Sequence, residues 1–143
     1  MKPERSAIMD TTVAPPVRML LVDDFKPWRD KVCSMLEQRT DLLIVGQAAD
    51  GLEAVLKAQE LQPDLILLDI GLPSLDGLKA SIQIRQLIPS AKILFLTQNA
   101  DADIAQAAMS AGAQGYVVKA DAGRELLPAI AAVLRSERLS AAD

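Results

Sequence analysis

Histidine is absent from all 143 residues. Without it, no Ser-His-Asp or Cys-His nucleophile scheme can be assembled, nor any metal site that needs imidazole. Cysteine is nearly absent too. Cys33 stands alone, which excludes an internal disulfide and a cysteine-ligated metal cluster. No apolar run approaches membrane-spanning length, and the first residues lack the hydrophobic centre of a signal peptide. Basic charge is short as well: 15 Lys+Arg face 19 Asp+Glu, a formal charge of -4. The bases are scattered, which argues against a broad nucleic-acid-binding surface. The expectation is a soluble, mildly acidic, cytoplasmic domain whose chemistry rests on carboxylates, hydroxyls and lysines.

Half of the chain is hydrophobic, 50%, enough for one continuous core. Residues 1–16 (MKPERSAIMDTTVAPP) show neither helical nor strand period and read as a flexible leader. From Val17 the pattern changes. Short apolar runs occur at Met19–Val22, Leu42–Val45, Leu65–Leu68, Ile93–Leu96 and Tyr116–Val118, and such runs suit strands buried on both faces. Helical stripes lie between them: Trp28, Val32, Met35 and Leu36, then Ala54, Val55, Ala58 and Leu61, then Leu78, Ile82 and Arg85. A weak, alanine-rich stripe follows at Ile104, Ala107, Ala108 and Ala111, and a fifth at Leu126, Ile130, Val133 and Leu134. Pro128 falls inside the fifth and predicts a late start or a bend. Five strand–helix units imply an α/β fold, a doubly wound parallel sheet covered on both faces. The folded domain is expected over residues 17–135, with 136–143 a polar tail or the start of a linker.

Ligands of an open parallel sheet bind beyond the carboxyl ends of its strands. Asp23 and Asp24 follow the first run, Asp69 and Gly71 the third, Thr97 the fourth and Lys119 the fifth. Three carboxylates, one hydroxyl and one ammonium would therefore meet at one end of the sheet. So many carboxylates do not stay ionised cheaply without a cation, and oxygen-only ligands favour a hard ion such as Mg²⁺. A carboxylate is also a competent nucleophile in phosphoryl transfer, giving an aspartyl phosphate. Each residue has a plainer reading: Asp23–Asp24 as a helix cap, Asp69 as a turn former, Lys119 as a solvated charge, and Thr97 as an ordinary strand end. Trp28 and Phe25 read as packing residues, and Cys33 as an inert buried thiol.

The order and spacing of several motifs carry a resemblance. They are Leu21-Val22-Asp23-Asp24, Asp64-Leu65-Ile66-Leu67-Leu68-Asp69, Leu72-Pro73 with Asp76-Gly77, Phe95-Leu96-Thr97, and Gly112-Ala113 leading to Gly115-Tyr116-Val117-Val118-Lys119. From Val17 to Arg135 the chain resembles the receiver domain of two-component response regulators. The resemblance implies a flavodoxin-like (βα)5 sheet in the order 2-1-3-4-5. It implies Asp69 as phosphoacceptor, and Mg²⁺ held by Asp23, Asp24, Asp69 and the Gly71 carbonyl. Thr97 and Lys119 would meet phosphoryl oxygens, with Tyr116 as the aromatic switch partner of Thr97. The partner would be a sensor histidine kinase or phosphotransfer protein. A homodimer would form through the face of the fourth helix, fifth strand and fifth helix. The Gly-Tyr-Val-Val-Lys run also resembles the subfamily with a LuxR-type helix-turn-helix output domain. Two positions depart from the family's pattern: Gln98 where a small residue is usual, and Ala120 where proline is frequent.

Two other readings stand beside this one. A stand-alone receiver would act by protein–protein interaction, without membrane or direct nucleic-acid contact. An aspartate-nucleophile phosphatase would need a second aspartate two residues after Asp69, where the chain has Gly71.

Overall fold

The computed structural model describes residues 14–98 and 101–142. Five strands, β1 (Val17–Val22), β2 (Leu42–Ala48), β3 (Leu65–Asp69), β4 (Lys92–Thr97) and β5 (Gly115–Val118), alternate with five helices. The helices are α1 (Lys26–Leu36), α2 (Gly51–Leu61), α3 (Gly77–Leu87), α4 (Ala102–Ser110) and α5 (Ala122–Ala142). A 3-10 turn, Lys119–Asp121, joins β5 to α5. All strand pairs are parallel and the order is β2-β1-β3-β4-β5, in agreement with the resemblance.

Strand periodicity splits the core in two. Leu20, Val22, Ile66, Leu68, Ile93 and Phe95 face α2, α3 and α4. The intervening Met19, Leu21, Leu65, Leu67, Leu94 and Leu96 face α1 and α5. Because both faces are covered, the central strands carry unbroken apolar runs, Met19–Val22, Leu65–Leu68 and Ile93–Leu96, in which every residue is buried. The outer strands differ. β2 lies at one edge with Leu43 exposed, and β5 lies at the other with Tyr116 exposed. The prediction of burial on both faces therefore fails for both edge strands: only Leu42 and Ala48 are buried in β2, and only Val117 in β5.

Two helix predictions also need correction. The sequence pattern puts the α3 stripe on Leu78, Ile82 and Arg85; Leu78 does pack against the core, but the buried residues are Gly77, Ala80, Ser81 and Ile84, and Ile82 is 46% exposed. Small residues let α3 lie close to the sheet, so its inner face carries little of the bulk that defines a stripe. α5 neither starts late nor stops near Arg135. It begins at Ala122, contains Pro128 on an exposed turn, and continues to Ala142 through residues expected to be tail or linker. Most of the expected leader, residues 1–13, lies outside the described residues.

The connection after β3 bears directly on the site. Asp76 caps α3, its side chain accepting from Lys79 N at 2.9 Å, and Gly77 N donates to the Ile70 carbonyl at 2.8 Å. A Cβ at Gly77 would lie 2.1 Å from the Asp69 carbonyl oxygen. The helix thus braces the backbone of Asp69, and only glycine permits the approach.

Candidate functional site

The strand ends bring the sequence-predicted residues together. Asp23 follows β1, Asp69 closes β3, Thr97 closes β4, and Lys119 begins the turn after β5. One carboxylate oxygen from each of Asp23, Asp24 and Asp69 lies within 4.8 Å of the others. All five residues, with Gly71 and Gln98, line one cavity of about 800 Å³. Tyr116 stands apart, its ring on the solvent side of β5, neither lining that cavity nor in the core.

Adjacent acids have unlike surroundings. Asp23 is 0% exposed and both of its carboxylate oxygens are engaged: Oδ1 accepts from Phe25 N at 2.9 Å, Oδ2 from Lys119 Nζ at 2.5 Å. Its carbonyl accepts from Arg29 Nη1 at 2.6 Å, and Arg29 Nε donates in turn to Gln47 Oε1. Asp24 is exposed at the cavity mouth. Neither caps α1, whose N-cap is Phe25 without a side-chain bond, so the plain capping reading fails.

Asp69 is buried, with Oδ1 accepting from Gly71 N at 3.2 Å and Oδ2 lying 3.6 Å from Lys119 Nζ. Burial raises its pKa above the ordinary carboxylate value. The Lys119 charge works against that rise, Asp23 and Asp24 add to it, and the Gly71 N–H opposes it. Lys119 is no solvated charge: its side chain is 12% exposed, with the ammonium nearer to Asp23 than to Asp69.

The donor set suits a hard divalent cation. It is all oxygen, two of the three carboxylates are buried, and the exposed Asp24 leaves the cluster accessible from the cavity. Thr97 is buried at the end of β4 beside Val118, while Gln98 is exposed at the mouth.

Sequence reasoning missed the remainder of this surface. Phe25, expected to pack, is 61% exposed, and with Pro27, Trp28, Lys31, Ile104 and Ala120 it completes the cavity wall. Trp28 does pack in the core, yet its ring also meets two ammonium groups, Lys119 at 5.3 Å and Lys31 at 5.6 Å from the centroid. The available signal was position alone: Trp28 lies in the first turn of α1, directly after the acidic pair at the end of β1. Cys33 is half-buried and receives Gln47 Nε2 at 3.6 Å, with burial pushing its thiol pKa up.

Comparison with known proteins bears on the family and the fold. A family model described as the response regulator receiver domain matches residues 19–131. The response regulator protein VraR of Staphylococcus aureus is 35% identical over 121 residues, 85% of this chain and 58% of that protein. The chain therefore spans little more than half the length of the curated relatives it matches. Among solved structures, a two-component response regulator of the LuxR family from Aurantimonas sp. superposes with a TM-score of 0.81. It is 36% identical, and the match covers 85% of this chain and 86% of that one. The signal receiver domain of the response regulator NarL from Mycobacterium tuberculosis gives a TM-score of 0.77 at 26% identity, covering 82% of this chain and 94% of that one.

Proposed function

Since the chain belongs to the response regulator receiver domain family, we propose that Asp69 accepts a phosphoryl group from a histidine kinase or phosphotransfer protein. The observation that carries the proposal is the cluster at the strand ends: a buried Asp69 beside two further carboxylates and an ammonium, all facing one open cavity. An Asp69 carboxylate oxygen attacks the phosphorus, the bond from phosphorus to the donor's imidazole nitrogen breaks, and the imidazole leaves with its electron pair. Asp23, Asp24, Asp69 and the Gly71 carbonyl are the residues that would hold Mg²⁺. When bound, that ion supplies positive charge against the phosphoryl oxygens. Lys119 would add a second positive charge, and the Thr97 hydroxyl would donate to a phosphoryl oxygen.

Receiver domains are signalling domains, and Gly71 supports that role here over a turnover phosphatase. At the position where the phosphatase reading requires an acid–base carboxylate, glycine offers none. The output is proposed to be transcriptional, through a domain of the kind carried by LuxR-family relatives, with the receiver working in the cytoplasm. No described helix is long and apolar enough to cross a membrane. The exposed Tyr116 on β5, next to an α4 that buries only Ala108 fully, supports Thr97, Tyr116 and the α4–β5–α5 face as the responsive surface for self-association. A receiver acting alone through protein contacts would use the same surface.

Acetyl phosphate with Mg²⁺ is expected to add one phosphoryl group by intact mass, and the adduct should be absent from Asp69→Asn and from samples in EDTA. Equal yield from Asp69→Asn would overturn the assignment.

A further inference from the structure

Lys119 carries three N–H donors and has two carboxylates in reach, Asp23 at 2.5 Å and Asp69 at 3.6 Å. Its third neighbour is the Trp28 ring, at 5.3 Å, inside the roughly 6 Å over which an aromatic face attracts an ammonium. The indole is a poor choice for packing alone. It is buried in the cluster that includes Met19, Val32 and Leu126, and its Nε1–H has no hydrogen-bond partner among the described residues. Phenylalanine or leucine would occupy the site without burying an unsatisfied donor. Neither offers an equal face, because indole is the best aromatic acceptor for a cation.

Lys119 has a use for such a contact. At rest its ammonium lies against Asp23, but a phosphoryl group on Asp69 needs that charge on new oxygens further along. A hydrogen bond to a carboxylate is directional, so moving off Asp23 gives it up. Attraction to a ring face is tied to no single atom, so the ammonium keeps it while shifting between carboxylates. We propose that Trp28 is a positioning residue for Lys119, its indole face retaining the ammonium at the acidic cluster as the charge passes from Asp23 toward a phosphoryl group on Asp69. The inference rests on the reading of Asp69 as phosphoacceptor.

The test uses the 143-residue chain with acetyl phosphate and Mg²⁺, following initial rates of adduct formation by intact mass. Trp28→Leu is expected to slow the reaction about tenfold, the scale of a desolvated cation–π contact, and Trp28→Phe to recover only part of the loss. In the Lys119→Met background, Trp28→Leu should cause no further slowing. A purely structural role would instead slow both backgrounds by the same factor and would overturn the proposal. Should Trp28→Leu not fold, the unaltered tryptophan provides the second measurement. Its emission should change on Lys119→Met, and an unchanged spectrum would overturn the contact. If Asp69→Asn still forms the adduct, the reading of the site fails. If Asp69→Asn abolishes it and Trp28→Leu leaves the rate intact, only the positioning role fails.

Discussion

Lys119→Met offers the most direct measure of how the acidic cluster is held. The substitution keeps most of the side-chain volume and removes only the ammonium. Asp23, fully buried, then loses the cation on Oδ2 and keeps only the Phe25 N–H on Oδ1. Removing one partner of a buried pair costs about 3–5 kcal/mol, because the other charge stays buried without compensation. Lys119 retains some exposure, 12%, so the lower end applies, about 3 kcal/mol. For a chain of this size that is a fall in Tm of roughly 6–12 °C. Urea unfolding at pH 7 in EDTA measures it by linear extrapolation. The decisive comparison is the double variant. Asp23→Asn removes the charge that Lys119 balances, so Asp23→Asn with Lys119→Met should be less destabilised than the sum of the two by about 2 kcal/mol. If the two effects add to within about 0.5 kcal/mol, the ammonium does not compensate Asp23, and the two side chains are neighbours without being a coupled pair.

Three further outcomes follow from the same geometry. Asp69 binds its proton more tightly in the folded chain than unfolded, since burial raises its pKa. The stability this contributes is full at pH below the ordinary carboxylate value and is lost as pH rises through the raised one; Asp69→Asn should therefore be the more stable protein at pH 7 in EDTA, with the difference shrinking on acidification, and a gap that widens in acid would contradict the sign. Asp24→Ala should weaken Mg²⁺ binding, read by calorimetry, by about tenfold or more and by more than Asp23→Asn, because Asp24 is exposed at the cavity whereas both Asp23 oxygens are already engaged; equal or reversed losses would show the roles are misassigned. Gly112 adopts φ +95 and a Cβ there would come 2.9 Å from Arg85 Nε, so Gly112→Ala should cost about 1–2 kcal/mol in unfolding free energy, and a neutral result would mean the turn relaxes freely.

Fold and site were legible to different depths for one physical reason. A parallel sheet covered on both faces needs apolar residues on both sides of its central strands, so β1, β3 and β4 stand out as unbroken apolar runs bounded by polar residues. The same topology puts all strand ends on one side. Asp23, Asp69, Thr97 and Lys119 could therefore be grouped from their place after each run, without knowledge of a single side-chain contact. Edge strands and close-packed helices carry weaker marks. β2 looks like an interior strand because Leu43 and Val45 are apolar, yet it is an edge strand with no further strand beyond it among the described residues. α3 presents Gly77, Ala80 and Ser81 inward, and a search for bulky residues lands on the solvent-facing Ile82 instead.

Within the site, the illegible part is the pairing. An ammonium among three carboxylates is not assigned to one of them by composition or spacing. The choice turns on differences of about an ångström and on which acid has lost its water, since an effective dielectric near 20 still leaves several kcal/mol between neighbouring charges at contact. Asp23 and Asp24 are indistinguishable as letters. Asp23 stays in the interior because its backbone N–H still bonds the Ala48 carbonyl of β2, at 3.0 Å. Asp24 comes one residue later, where the chain is already turning toward α1, and it is exposed. That single step makes one acid the partner of Lys119 and leaves its neighbour open to an incoming cation. It also accounts for Trp28. Asp24 and Phe25 turn the chain, and α1 then starts at Lys26, so residue 28 falls on the inner face of its first turn. There the indole packs into the core while its face meets the lysine that Asp23 holds.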